Sequence, residues 1–139
     1  ELLATMKSNG TYTALVSGGF TVFTQPVSQY LGFHEHHANQ LLVDQGVVTG
    51  QVSDPILGQQ AKVEALERLI AQLSITAQDV LAVGDGANDL GMLQRAGTGV
   101  ALHAKPNVAA QCDIRINHGD LTALLFLQGY PRSAFRNGV

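Results

Sequence analysis

The sequence is poor in cysteine, tryptophan and charge. Cys112 is the single cysteine, which excludes an internal disulfide and a cysteine-built zinc site. A reducing cytoplasm is the simple expectation for such a chain. Charged residues make up 14% of the 139, and the formal net charge is −3. No Lys/Arg run occurs, which argues against a nucleic-acid partner. Apolar runs stay far below the roughly 20 residues needed to cross a bilayer, so no membrane partner is expected. The opening residues, ELLATMKSNG, hold no apolar signal-peptide core. No internal repeat and no low-complexity linker interrupts the chain. What is present is 45% hydrophobic residues, enough for one packed domain.

Leu2, Leu3 and Met6 have helical spacing, and Asn9-Gly10 closes that helix. It reads as the last turns of an element, so the chain is expected to begin mid-fold. Tyr12 to Ser17 is a β-prone run ended by Gly18-Gly19. A helix follows and stops at Gly32, with Pro26 fitting only a first turn or a kink. Asn39 to Val43 reads as a strand, and Val47 to Val52 as its partner after a Gly46 turn. Gly58 to Leu73 is the clearest helix. Val80 to Val83 is a buried-type strand running into Gly84-Asp85-Gly86-Ala87-Asn88-Asp89. Beyond it come a helix over Leu90–Ala96, a strand over Gly99–Leu102, a helix over Pro106–Gln111, a strand over Ile114–Ile116 and a helix over Leu121–Gln128. Strands alternating with helices at this spacing predict an α/β fold with a parallel sheet. Ligand sites in such sheets lie at the carboxyl ends of the strands. That rule puts Ser17-Gly18-Gly19 and Gly84-Asp85-Gly86 on one sheet edge.

The chemistry-bearing residues follow from that placement. In the Gly84–Asp89 string, two glycines permit a tight turn at a strand end. Asp85 projects from it, and Asp89 follows about one helical turn later. Two hard carboxylates and the amide of Asn88 suit Mg²⁺, which takes oxygen ligands and keeps some waters. A bare Asp-Gly turn would read only as a capped turn; the whole string after an apolar strand points to the metal. Ser17 and Gly18 fit a phosphate cradle of hydroxyl and backbone N–H, or a plain strand-to-helix turn. Lys62 falls on the apolar stripe of Val63, Leu66, Leu69, Ile70 and Leu73, near the start of its helix. It fits a cation aimed at an anion site, or a lysine snorkelling along apolar surface. His34, His36 and His37 crowd one stretch that reads as a solvated loop without zinc-ligand spacing. His103 and His118 follow short strands and suit turn or capping roles, and Cys112 suits a small core position.

Leu15-Val-Ser-Gly-Gly-Phe20, Lys62 and Val83-Gly-Asp-Gly-Ala-Asn-Asp-Leu90 resemble the second, third and fourth motifs of haloacid dehalogenase-like phosphatases. Ala101-Leu-His-Ala-Lys-Pro106, Asp120-Leu-Thr-Ala-Leu-Leu125 and Gly129-Tyr130 are similar to the C-terminal region of the phosphoserine phosphatases within that family. The likeness runs from about Leu3 to Tyr130. It implies a Rossmann-like three-layer core with a parallel sheet, and a Mg²⁺-dependent hydrolase of a small-molecule phosphomonoester, O-phospho-L-serine. It implies that Ser17 and Gly18 hold the substrate phosphate, that Lys62 grounds the phosphate and a covalent intermediate, that Asp85 binds Mg²⁺, that Asn88 contacts substrate and that Asp89 orders the metal site. On this reading residues 1–10 end a cap or linker helix, 11–130 are the C-terminal part of the phosphatase core, and 131–139 are a tail.

One part of the family pattern is missing. The first motif, Asp-x-Asp-x-Thr, carries the nucleophile and the general acid/base, and no such string occurs. Asp44-Gln45-Gly46 and Asp54-Pro55 do not follow suitable buried strands. The resemblance therefore implies that the central first strand and the substrate-selecting cap come from a segment outside these residues, on the same or a separate chain. The sheet is expected to be interrupted, and the chain alone to be inactive. A non-catalytic phosphate-binding remnant and another phosphatase of the same type are the alternatives. The phosphorylation domain of a P-type ion pump shares the Gly-Asp-Gly-x-Asn-Asp string but would need membrane spans.

Overall fold

The computed structural model describes residues 1–138; Val139, the last residue of the expected tail, lies outside them. Seven strands and six helices follow one another along these residues, alternating except where three strands come in succession between Glu35 and Val52. The parallel strands fall into two separate sheets, and a β-hairpin makes a third. The chain divides into two compact units, residues 1–56 with the segment from Gly119 onward, and Leu57–His118.

In the first unit, β1 (Ala14–Phe20) pairs in parallel with β2 (Glu35–Asn39), joined by α2 (Thr21–Leu31). Thr24 and Ser28, four residues apart, are the buried positions of α2. Val22, Phe23, Val27, Tyr30 and Leu31 are exposed. The small polar side chains let the helix sit close to the sheet, and Thr24 Oγ1 bonds His36 Nδ1 at 3.0 Å. β3 (Leu41–Asp44) and β4 (Val47–Val52) form an antiparallel hairpin. α1 (Leu2–Ser8) packs on α6 (Ala123–Leu127), burying Thr5, Met6, Leu124 and Leu125. The backbone N–H of Arg136 donates to Thr5 Oγ1 at 2.8 Å, so the segment leading to Arg136 folds back on the first helix.

The second unit is a βαβ assembly. β5 (Leu81–Gly84), β6 (Thr98–Leu102) and β7 (Ile114–Ile116) are parallel, with β6 in the middle. A central strand is covered on both faces, and Val100 and Ala101 are accordingly both buried. α3 (Gln59–Leu73), α4 (Leu90–Arg95) and α5 (Pro106–Ala109) complete the unit. Ala82, Leu93, Ala101, Val108 and Cys112 form its core, so Cys112 does occupy a core position. Gly99 passes so near α4 that a Cβ there would lie 2.1 Å from the Leu93 carbonyl oxygen.

Four local expectations change. The first strand does not end at Ser17: β1 runs on through Gly18 and Gly19 to Phe20. The Asn39–Val43 strand is two strands, broken at Gln40. The histidine stretch is not a loop, because His36 and His37 lie in β2. Their neighbours explain why a polar strand is stable there. His34 Nδ1 accepts the Thr13 N–H at 3.1 Å, His37 pairs with Glu35 at 2.8 Å, and the His34 ring stacks on Tyr12. Finally, Pro26 sits inside α2 rather than in its first turn. The carbonyl deprived of its helical donor belongs to Val22, which is exposed, so water can take the bond.

Candidate functional site

The second unit gathers four of the expected site residues at the carboxyl end of β5. The strand ends at Gly84, and a short 3-10 turn over Ala87–Asp89 leads into α4. Asp89 folds back over the turn. Its Oδ2 accepts the backbone N–H of Asp85 and of Gly86, each at 3.0 Å. Its Oδ1 accepts Lys62 Nζ at 2.5 Å. Both partners of this ion pair are buried, with side chains 9% and 7% exposed. Burial alone would raise the Asp89 pKa, but the Lys62 bond and charge and the two N–H donors outweigh it and hold the carboxyl below its ordinary value.

The backbone is built for this fold-back. A Cβ at Gly84 would lie 2.5 Å from the Asp89 Cβ and 2.7 Å from its Oδ2, so only glycine leaves room for the carboxylate. Lys62 reaches Asp89 from the first half of α3. That helix begins at Gly58 with no side-chain cap and no acid in its first turn.

Asp85 and Asn88 occupy the outer side of the same turn, and both are exposed. The Asp85 carbonyl oxygen accepts the Lys105 N–H at 3.2 Å, tying the turn to the segment after β6. Asp89 spends its carboxylate on three protein donors, which leaves Asp85 as the open carboxylate. A free hard oxygen donor with an amide beside it fits Mg²⁺, which takes one or two carboxylates and completes its shell with water and phosphate oxygens. Among the described residues no cluster of three or more His, Cys, Asp or Glu side chains converges on one point, so a cation here would draw further oxygen ligands from water, substrate or another segment.

Ser17 and Gly18 belong to the first unit. The β1–β2 register slips across them: Val16 pairs with His37 and Phe20 with Asn39. Ser17, Gly18 and Gly19 therefore bulge from the ladder opposite Ala38. Gly19 N–H donates to Ser17 Oγ at 3.0 Å. α2 begins at once after this bulge, with no side-chain cap and no acid in its first turn. An uncapped helix start beside a hydroxyl suits an anion. Sequence reasoning missed Asn39, whose buried side chain donates Nδ2–H to the Gly18 carbonyl oxygen at 2.9 Å. The one signal for it was an amide side chain at the end of a strand.

The sequence profile of the haloacid dehalogenase-like hydrolases matches residues 1–94, and the chain belongs to that family. Within it, the chain is similar to phosphoserine phosphatases. It is 41% identical over 127 residues to the phosphoserine phosphatase of Haemophilus influenzae, covering 91% of this chain and 40% of that protein. It is 38% identical over 125 residues to that of Methanocaldococcus jannaschii, covering 90% and 59%. The crystal structure of a probable phosphoserine phosphatase from Vibrio cholerae superposes with a TM-score of 0.89 at 36% identity, over 93% of this chain and 40% of that one. The chain thus spans about 32–59% of the length of the curated relatives it matches. No helix among the described residues is long and apolar enough to cross a membrane.

Proposed function

We propose that these residues are the C-terminal part, over 11–130, of a Mg²⁺-dependent phosphomonoesterase whose substrate is O-phospho-L-serine and whose setting is the cytoplasm. The observation that carries the proposal is the Lys62–Asp89 pair, fixed under the Gly84–Asp89 turn while Asp85 is left open. A lysine ammonium has three N–H donors; Asp89 takes one, and two remain for phosphoryl oxygens.

The reaction would run in two displacements. A carboxylate from the first-motif segment attacks phosphorus, the bond to the serine oxygen breaks, and a neighbouring acid protonates the leaving oxygen. Water, giving a proton to that same acid/base group, would then attack phosphorus, and the bond between phosphorus and the aspartyl oxygen would break to release phosphate and the free carboxylate. Ser17 and the Gly18 backbone would hold the phosphoryl oxygens throughout. Lys62 would offset their charge in both displacements. Asn88 would contact the substrate, and Asp89 would keep Lys62 and the Asp85 turn in place. When bound at Asp85, Mg²⁺ supplies a hard positive charge next to the transferring group.

The nucleophile and cap come from a segment outside these residues. Two observations support this. No Asp-x-Asp-x-Thr string occurs, and β1 and β5 each pair with a single strand. The test is phosphoserine hydrolysis by the full-length protein with Mg²⁺ and after chelation. Activity that depends on Mg²⁺ and disappears in Asp85→Ala is expected, and Mg²⁺-independent turnover overturns the reading. The 139-residue chain alone is expected to be inactive; turnover by it would remove the need for another segment. The absent first motif also favours a second reading, a non-catalytic phosphate-binding remnant. An upstream Asp-x-Asp segment in the full-length protein would dispose of it.

A further inference from the structure

We propose that Asn39 is a positioning residue that shapes the Ser17–Gly18 phosphate cradle from below. The inference rests on the functional reading above and extends it to a residue outside the cradle. It begins with the register slip between β1 and β2. Across Ser17, Gly18 and Gly19 the strands lose regular pairing, so the Gly18 carbonyl has no ladder partner in register. Gly18 itself is exposed, so water could serve this carbonyl, whereas an amide fixed in the fold holds it in one orientation. Asn39, at the carboxyl end of β2 and 6% exposed, meets it with Nδ2–H at 2.9 Å.

The geometry of the peptide unit carries this outward. C=O and N–H of a trans peptide point in opposite directions. With the Gly18 carbonyl turned to Asn39, the Gly19 N–H is turned away from β2, and there it donates to Ser17 Oγ at 3.0 Å. One lone pair of the hydroxyl is thereby occupied, while its O–H stays a donor. A hydroxyl whose acceptor side is filled from within the protein presents its proton outward, as an anionic oxygen requires. Asn39 thus acts through Gly18 and Gly19 on Ser17, without touching the ligand.

The cradle grips the phosphoryl oxygens equally in ground and transition states, so losing its shape should weaken binding more than turnover. The experiment uses the full-length enzyme, with phosphoserine as substrate and inorganic phosphate as competing probe. Asn39→Leu keeps the branched shape and the number of heavy atoms and removes the donor. It is expected to raise KM and the phosphate Ki together by roughly five- to tenfold, the range of one hydrogen bond, with kcat within about twofold. Added to Ser17→Ala, Asn39→Leu should cost little more, because both act on one cradle. A measurement on the unaltered protein guards against a variant that does not fold. In ¹H–¹⁵N spectra, phosphate should shift the Asn39 side-chain NH₂ signals together with the Gly18 and Gly19 amides. If phosphate moves the two glycine amides and leaves Asn39 silent, or if Asn39→Leu lowers kcat with KM unchanged, the inference fails and the function stands. If the unaltered enzyme neither binds phosphate nor hydrolyses phosphoserine, both fail.

Discussion

Replacing Asp89 by Asn tests the pivot of the second unit. The carboxylate receives three donors on two oxygens: Lys62 on Oδ1, and the N–H groups of Asp85 and Gly86 on Oδ2. Asparagine has one acceptor oxygen and one NH₂. With its oxygen toward Lys62, its NH₂ faces two backbone N–H groups. With its oxygen toward them, its NH₂ faces an ammonium. Either way at least one donor is orphaned, the partly buried N–H groups in the first case and the buried ammonium in the second, at up to about 1–3 kcal/mol for a neutral group and more for a charged one. Breaking a buried ion pair from one side costs about 3–5 kcal/mol, and both side chains here are under a tenth exposed. Asp89→Asn should therefore lose about 3–5 kcal/mol of the roughly 5–15 kcal/mol that holds a typical protein folded. Lys62→Met should lose less, about 1–3 kcal/mol, because Asp89 keeps its two N–H bonds. Urea unfolding followed by far-UV circular dichroism measures both variants and the double variant. The double variant should be more stable than the sum of the single losses predicts, by about 1.5–3 kcal/mol, the worth of a hydrogen bond between charged groups. A loss under about 1 kcal/mol for Asp89→Asn, or additivity within roughly 0.5 kcal/mol, would refute the reasoning.

Acid should expose the same group. The folded-state pKa of Asp89 is depressed, so its contribution is complete above the unfolded value of about 3.9 and is lost as pH falls through the lower folded value. Acid titration of stability should show a steeper loss below about pH 4 in the unaltered chain than in Asp89→Asn. Gly84→Ala places a methyl 2.5 Å from the Asp89 Cβ and should cost about 1–3 kcal/mol by overpacking, measured by thermal unfolding, and abolish activity of the full-length enzyme. Asp85→Ala should leave stability within about 0.5 kcal/mol, as expected for an exposed side chain, while removing Mg²⁺-dependent turnover. Arg95→Ala breaks an exposed pair with Glu67 and should change stability by less than about 1 kcal/mol.

What could be read from letters depended on whether a residue's position follows from its own segment. Lys62 could be placed on the apolar side because α3 repeats its apolar residues at helical spacing, although the same pattern also fits a lysine snorkelling along that surface; its burial against Asp89 is what the structure adds. The Gly84–Asp89 turn could be placed because a short apolar strand leads into it. β2 could not be read: Glu35-His-His-Ala-Asn39 has no apolar alternation, and besides its ladder with β1 it is held by side-chain bonds to Thr24 and Tyr12 in other segments. The strand through Gly18 and Gly19 was hidden for a related reason. Glycine pairs look like a turn when their neighbours are unknown, and here the amide of Asn39 supports them as a bulge.

The two carboxylates of the turn, four residues apart, have divided their work. A carboxylate offers about four lone-pair sites, and Asp89 has committed three of them to Lys62, Asp85 and Gly86. Those bonds fix the shape of the turn, and Asp85 is the exposed carboxylate left for the proposed metal. A Mg²⁺ ion held by one carboxylate is bound weakly and keeps most of its waters. The proposed chemistry needs at least one further hard ligand close by, and it needs a nucleophile. The turn's geometry is fixed by bonds internal to Leu57–His118.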